Sequence, residues 1–185
     1  MTSSIGLFSL YKNFSSTLIE TGTFHSHGIE YALSAGFKKV YSCDINEQFV
    51  DNAVSRYKDD SRGNVFVENL DSYSFLKKIL PNINEPCVFF LDAHFWPENP
   101  NDEKKGFKKD TVKDGLKPCP LIDELMIIKN HSIKTHTILI DDLQCFNTWM
   151  FEGLKIEDVD SLIYSINPNY EKTTYTNVGC YQVKM

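Results

Sequence analysis

No run in this chain stays apolar for the roughly 20 residues that a membrane-spanning helix requires, and the opening MTSSIGLFSLYKNF lacks the charged start and long apolar stretch of a secretion signal. A membrane partner is therefore not expected, and the expected compartment is the cytoplasm. Positive charge is also scarce. The 19 Lys and Arg stand against 25 Asp and Glu, and the formal net charge of -6 offers no footprint for nucleic acid. The five cysteines, Cys43, Cys87, Cys119, Cys145 and Cys180, include no C-x-x-C pair, which removes the spacing of a zinc knuckle or dithiol redox site. Reduced thiols are the simplest reading, and those lying in or beside apolar runs behave as small hydrophobes. Internal repeats, low-complexity tracts and domain linkers are missing too. What is present is an ordinary globular composition, 42% hydrophobic and 24% charged, in a 185-residue chain. One domain, 1–185, is expected, large enough to bury roughly 70% of the surface its unfolded chain would expose.

Short β-rich runs alternate with amphipathic stretches. Thr17–Glu20, Lys39–Asp44, Asn64–Glu68, Cys87–Asp92 and Thr137–Asp141 are nearly continuous in hydrophobicity, as strands covered on both faces are. Between them Gly28–Ala35, Glu47–Lys58, Ser72–Leu80 and Leu121–Asn130 carry helical spacing. Right-handed crossovers turn that order into a doubly wound, mostly parallel α/β sheet. After a helix at Ile156–Ile166, YEKTTYT and VGCYQVK are too close in sequence to pair except as a hairpin, so a seven-stranded sheet with an antiparallel last strand is expected. One segment breaks the rhythm. Pro97–Pro118 holds six lysines, five acidic residues, three prolines and two glycines without an apolar period, and reads as a loop insertion at about 95–118. It is either a solvated excursion or a lid over the crevice.

The chemistry sits where the strands end. In an open α/β sheet the carboxyl ends of the strands form the ligand crevice, which brings Asp92 of FLDAH together with Asp141 and Asp142 of ILIDD. Three clustered carboxylates call for a hard cation. On the other side of the crevice, Glu20-Thr21-Gly22-Thr23 leads through Phe24-His25-Ser26-His27 to Gly28 at a helix start. Gly22 permits a tight turn and close approach of a ligand, and Gly28 a close approach of helix to sheet. The run is not G-x-G-x-x-G, so a dinucleotide pyrophosphate lacks its cradle. A different nucleoside fits better: Asp44 can accept from both ribose hydroxyls, while Asp71 and Ser72 suit an adenine edge. Either aspartate can also serve simply as a helix cap.

The ordered set ETGT, HGIEYAL, VYSCDI, LDS, FFLDAH, CPLIDEL and ILIDD resembles the class I S-adenosylmethionine-dependent methyltransferases, within a small group marked by E-T-G-T, L-D-A-H and I-D-D. The resemblance runs from about Leu18 to the terminal hairpin and implies a Rossmann-like methyltransferase fold. It also implies that Glu20, Gly22 and Thr23 line the methionine part of S-adenosylmethionine, that Gly28 belongs to the cofactor-binding loop, that Asp44 holds the ribose, and that Asp71 and Ser72 lie at the adenine. The common second glycine of the first loop is displaced here to Gly28. FLDAH and ILIDD further resemble the cation-dependent O-methyltransferases of the catechol and macrocin types. That likeness implies a magnesium ion on Asp92, Asp141 and Asp142, with Asp92 facing cofactor and catalytic sides alike. A hydroxyl held there loses its proton more readily and attacks the sulfonium methyl. The expected acceptor is a hydroxyl of a small molecule or a glycan.

His94, two residues past Asp92, is the candidate general base. It is alternatively a fourth metal ligand or a hydrogen-bonded loop histidine. The macrocin type carries an acidic base at this offset and the catechol type a lysine one residue on, where this chain has Phe95. His25 and His27 form an H-x-H pair, but zinc needs three or four ligands, so they read as cofactor-loop or substrate contacts. Glu124 reads more readily as an exposed helical carboxylate than as a site residue. Phe95, Trp96, Phe146, Trp149 and Phe151 can wall a substrate pocket. Phe8, Tyr11 and Phe14 cover either a partner copy, making a homo-oligomer, or their own sheet. Two other functions compete with methyl transfer: metal-dependent hydrolysis on the same fold, and a catalytically inactive methyltransferase-like binding module.

Overall fold

The computed structural model describes residues 5–95 and 117–184. Trp96 and nearly all of the expected loop insertion lie outside the described residues. Seven strands form one sheet in the order β3-β2-β1-β4-β5-β7-β6, made of β1 Thr17–Thr21, β2 Lys39–Asp44, β3 Asn64–Asn69, β4 Val88–Leu91, β5 Thr137–Ile140, β6 Tyr170–Tyr175 and β7 Val178–Val183. The first five are mutually parallel, and β7 runs antiparallel to both β5 and β6. The doubly wound sheet with a reversed last strand is thus as expected from the alternation of runs. The reversed strand lies one position in from the edge: VGCYQV, buried over its first four residues, is inside, and the more polar YEKTTY takes the rim.

Helices cover both faces. α1 (Ile5–Tyr11), α2 (His27–Ala35) and α3 (Glu47–Tyr57) lie on one side, with α4 (Ser72–Ile79), α5 (Leu121–Asn130) and α6 (Ile156–Ile166) on the other. The central strands alternate between the two cores. On β4, Val88 and Phe90 pack toward α1 and α2 while Phe89 and Leu91 pack toward α4 and α5. Each such fully buried side chain contributes about 1.5–3 kcal/mol. α1 has no expectation behind it in the sequence. Its seven residues are too few to hold a helix alone, and Leu7 and Phe8, both 0% exposed, dock it, with Phe8 edge-on to Phe37 and Phe90. Phe8 and Tyr11 therefore cover their own sheet, while Phe14 stays partly exposed. Local caps set the other starts: Asn46 accepts from Gln48 N–H ahead of α3, and Asp71 from Ser74 N–H ahead of α4. All five cysteines are free thiols, four of them buried. Among the described residues no helix is long and apolar enough to cross a membrane.

A histidine pair, His136 buried and His131 half-buried, joins the far end of the sheet. His136 Nδ1 accepts from the Cys87 N–H at 3.0 Å, so its proton is on Nε2, which donates to His131 Nδ1 at 2.9 Å. Burial, with His131 and Lys134 nearby, pushes the His136 pKa down from 6.5 to about 3. This group stabilises the fold fully above pH 6.5 and ceases to as pH falls through 3, at ~1.4 kcal/mol per unit. His136→Gln, which keeps an acceptor for Cys87 and a donor for His131, is expected to flatten the acid limb of a urea-midpoint against pH profile between 6.5 and 4. An unchanged limb would mean that His136 is not held neutral.

Candidate active site

The strand order reverses between β1 and β4, and the crevice opens at their carboxyl ends. On the β1 side the chain turns sharply. The Gly22 and Thr23 N–H groups both donate to the Cys43 carbonyl at 3.0 Å, sewing the loop to β2. Phe24 and Ser26 adopt positive φ of 43° and 61°. For a residue as bulky as Phe that is a costly conformation. It aims the Phe24 N–H at Asp44 Oδ2, 2.8 Å away, while the Asn46 N–H reaches Oδ1 at 2.9 Å. Each carboxylate oxygen keeps a lone pair for a further donor. The Phe24 ring, 44% exposed, packs with His25 and Phe49 beside it.

Beneath this loop a polar chain runs inward. Ser42 O–H donates to Glu20 Oε2 at 2.6 Å, and the Thr23 and Ser42 hydroxyls are 2.7 Å apart. Glu20 is 1% exposed. Burial lifts its pKa from 4.5 to about 8; the Ser42 bond opposes the rise and the Asp44 charge adds to it.

Both glycines have specific neighbours. A β-carbon at Gly28 would fall 1.8 Å from Glu20 Oε1, so that glycine makes room for the buried carboxyl rather than for the sheet as a whole. Gly22 has the tight turn expected of it, at φ +88°, and a β-carbon there would fall 2.7 Å from the Asp92 carbonyl oxygen, so close packing against the end of β4 demands glycine as well. Thr23 is buried with its hydroxyl turned to Ser42, and Asp71 is engaged as the α4 cap.

On the β4 side, the Asp92 N–H donates to the Thr21 carbonyl and the Asp141 N–H to the Leu91 carbonyl, which fixes both acids at their strand ends. Ligand atoms of Asp92, His94 and Asp142 lie within 4.8 Å of one another. His94 Nε2 is 2.8 Å from Asp142 Oδ2 and 3.7 Å from Asp92 Oδ1, and Nδ1 is 3.0 Å from the Phe95 carbonyl. Both of its near partners present acceptor atoms, an arrangement that favours a proton on each ring nitrogen. Burial alone would lower its pKa, but the bonds to Asp142 and the Phe95 carbonyl outweigh it and the net shift is upward. In this arrangement His94 has no lone pair with which to act as a base. Asp142 sits in the left-handed region at φ 55°, a strained conformation that turns its carboxylate back toward His94. Asp141, 5% exposed, accepts the Asp142 N–H on Oδ1 and stands beside the trio. Burial pushes the Asp92 pKa well up, and the charges of Asp141, Asp142 and Glu20 push it further; its side chain remains 29% exposed, so water screens part of this.

The donor set suits a divalent cation: two carboxylates and an imidazole within coordinating reach of one another, with the proton on His94 now balancing the negative charge. His25 and His27 gather no third ligand among the described residues. Leu91, Asp92, Ala93, His94, Cys119, Leu121, Glu124, Ile140, Asp141 and Phe151 line a small cavity between the strand ends and α5, with room for about one water molecule. Phe151 stacks edge-on to both His94 and Phe146, whereas Trp149 remains partly exposed. Glu124 is the residue that sequence reasoning placed wrongly. It is 1% exposed rather than a surface carboxylate, and burial raises its pKa from 4.5 to about 7. The signal was available, because Glu124 falls on the buried stripe Leu121, Leu125, Ile128 of α5.

No protein-family model matches the chain, and no curated protein matches it by sequence. Its likeness is to solved structures. An O-methyltransferase from Bacillus cereus, in complex with S-adenosylhomocysteine, superposes with a TM-score of 0.65 at 16% identity over 97% of this chain and 80% of that one. SMU.1697c of Streptococcus mutans, assigned as a methyltransferase and also in complex with S-adenosylhomocysteine, gives 0.60 at 10% identity over 99% of both chains. MycE of the mycinamycin biosynthetic pathway, a methyltransferase in complex with magnesium, S-adenosylhomocysteine and mycinamycin VI, gives 0.59 at 15% identity over 95% of this chain and 46% of its own. The fold is the Rossmann-like fold of the S-adenosylmethionine-dependent methyltransferases, with sheet order 3-2-1-4-5-7-6 and a reversed β7.

Proposed function

We propose that this chain is an S-adenosylmethionine-dependent methyltransferase acting on a hydroxyl group of a small molecule or glycan, with a magnesium ion beside the reacting atoms. The observation that carries the reading is the two-sided crevice: the clasped Asp44 with its preformed loop on one side of the switch point, and Asp92, His94 and Asp142 on the other. Solved structures of the same fold in complex with S-adenosylhomocysteine, one of them with magnesium as well, support it.

Asp44 would hold the ribose through the lone pairs its two N–H bonds leave over, and those bonds keep it aimed. Asp92 and Asp142, with Asp141 behind them, would hold the cation, leaving His94 Nε2 for the proton. The bound cofactor supplies an electrophilic methyl group, and the cation lowers the pKa of a hydroxyl brought to it. The chain's own contribution is alignment and a place for the proton. With the cation taking over Asp142, His94 would first lose its Nε2 proton to solvent, and that nitrogen could then take the proton that the acceptor loses, its Nδ1–H held in orientation by the Phe95 carbonyl. Phe151 and Phe146 keep that side of the imidazole apolar.

The test is calorimetric titration of S-adenosylhomocysteine into the wild type and Asp44→Ala, each with and without magnesium. Micromolar binding that the variant weakens tenfold to a hundredfold is expected. Absence of binding by the wild type in both conditions would sink the cofactor assignment, and cation-dependent hydrolytic turnover would then take its place.

A further inference from the structure

Glu124 presents an oddity that the chemistry above does not use. The residue is only 1% exposed, yet its Oε1 has no hydrogen-bond partner among the described residues. Native interiors rarely leave such an atom unpaired, and one that stays so calls for a specific partner. Ser72 Oγ is unpaired as well, but it is not in the cavity wall. Glu124 is. From the first turn of α5 it lines the small cavity together with Asp92, His94 and Asp141, the remaining wall being largely apolar. Acceptors outnumber donors around that space. Three carboxyl groups border it, while the ring nitrogens of His94 are directed at Asp142 and the Phe95 carbonyl. A buried water needs about two to four polar partners, and the cavity has room for about one. The two protons of such a water can go to Glu124 Oε1 and a neighbouring acid, which leaves its oxygen lone pairs in want of a positive partner.

We infer that Glu124 is an outer ligand of the cation, accepting a hydrogen bond from a water that the cation holds, and that it thereby selects a small ion that keeps its water. The inference rests on the magnesium reading above and adds to it a residue from a third element of the fold. Glu124 does not join Asp92, His94 and Asp142, whose ligand atoms lie within 4.8 Å of one another, so its reach to an ion beside Asp92 is through water. Magnesium suits that arrangement, because it gives up water reluctantly and binds through one or two carboxylates with waters on its other positions. Calcium favours more direct oxygen ligands at longer distances and gains less from a carboxylate placed one water away. Position 124 also falls on the buried stripe of α5, where an apolar side chain would cost the fold less than a carboxylate does. Groups that weaken a fold in this way are commonly ones kept for binding.

Manganese, as a magnesium substitute read from the electron paramagnetic resonance of the free ion, tests this without cofactor or turnover. Wild type, Glu124→Met, Glu124→Gln and Asp92→Asn are each titrated with it, and magnesium and calcium then compete for the bound ion. Magnesium should displace manganese from the wild type at a lower concentration than calcium does. Glu124→Met should bind manganese about tenfold to a hundredfold more weakly, lose the preference for magnesium, and melt no lower than the wild type. Glu124→Gln keeps an acceptor oxygen in the same shape and should lose less of both; it also carries the test if the Met variant does not fold. If both variants match the wild type, or lose affinity with the magnesium preference unchanged, Glu124 does not act through a water of the ion and the inference is overturned. A wild type that takes up no manganese, or an Asp92→Asn variant that binds it undiminished, overturns the magnesium reading itself, and the inference with it.

Discussion

Gly22→Ala is expected to lower the melting temperature by about 10 °C. Two costs add at this position. The φ of +88° is one that an L side chain adopts at about 1–2 kcal/mol. The new β-carbon would also stand 2.7 Å from the Asp92 carbonyl oxygen, 3.0 Å from its carbon and 3.2 Å from the Ala93 nitrogen, all backbone atoms that no rotamer change can move. Relieving that overlap means shifting the end of β4, at about 1–3 kcal/mol. Together the two terms reach about 3–4 kcal/mol, and in a domain this long each kcal/mol moves the transition by about 2–4 °C. Gly153→Ala is the matched control, since it shares the positive φ, at +75°, and meets nothing within 4 Å. Calorimetric melts of the two variants should therefore differ by the packing cost alone. Equal losses would refute the argument that β4 demands this glycine.

Glu20→Gln should stabilise the protein by about 4 kcal/mol at pH 8 and by little at pH 5. Burial lifts the folded-state pKa of Glu20 from 4.5 to about 8. The folded chain therefore holds this proton more tightly than the unfolded chain does. Its contribution is complete below pH 4.5 and is lost as pH rises through about 8, at ~1.4 kcal/mol per unit. Glutamine keeps an acceptor for the Ser42 hydroxyl and has no proton to lose. Urea midpoints for wild type and variant should nearly coincide at pH 5 and separate steadily above it. Parallel curves across that range would mean that Glu20 is ionised in the folded protein. Glu124, lifted to about 7, pulls the wild type in the same direction, and His136 pulls against both on the acid side. Of these three groups alone, stability peaks near pH 4.5 and falls on either side.

Much of the frame is legible in the residues because strands buried on both faces need continuous apolar runs. VFFL and TILI can be little else, and their acidic neighbours Asp92 and Asp141 end up at the crevice for the same reason. Which hairpin strand would lie inside is harder, yet the information is there: VGCY has no charge to lose on burial, whereas YEKTTY does. α1 is invisible because IGLFSLY has neither a cap nor the length to be a helix on its own, and only its docking through Leu7 and Phe8 makes it one.

At the site, spacing shows which residues gather but not what each one touches. The pairing of His94 with Asp142, 48 positions apart, depends on a left-handed turn at Asp142 that no local rule demands of an aspartate. Gly22 and Gly28 are noticeable in the sequence, but their reasons lie in Asp92 and Glu20, which tertiary packing brings against them.

The twin bonds from Gly22 and Thr23 to the Cys43 carbonyl bear on how a ligand would be received. A loop whose amides are already paired has surrendered its conformational freedom during folding, so little remains to be lost on association. A segment that had to order around its ligand would spend part of each new contact on that ordering and would close slowly. Here the strain at Phe24 and Ser26 is carried by the folded protein before any encounter. Complex formation would then be governed by diffusion into the crevice and by desolvation of Asp44, rather than by a rearrangement of the chain.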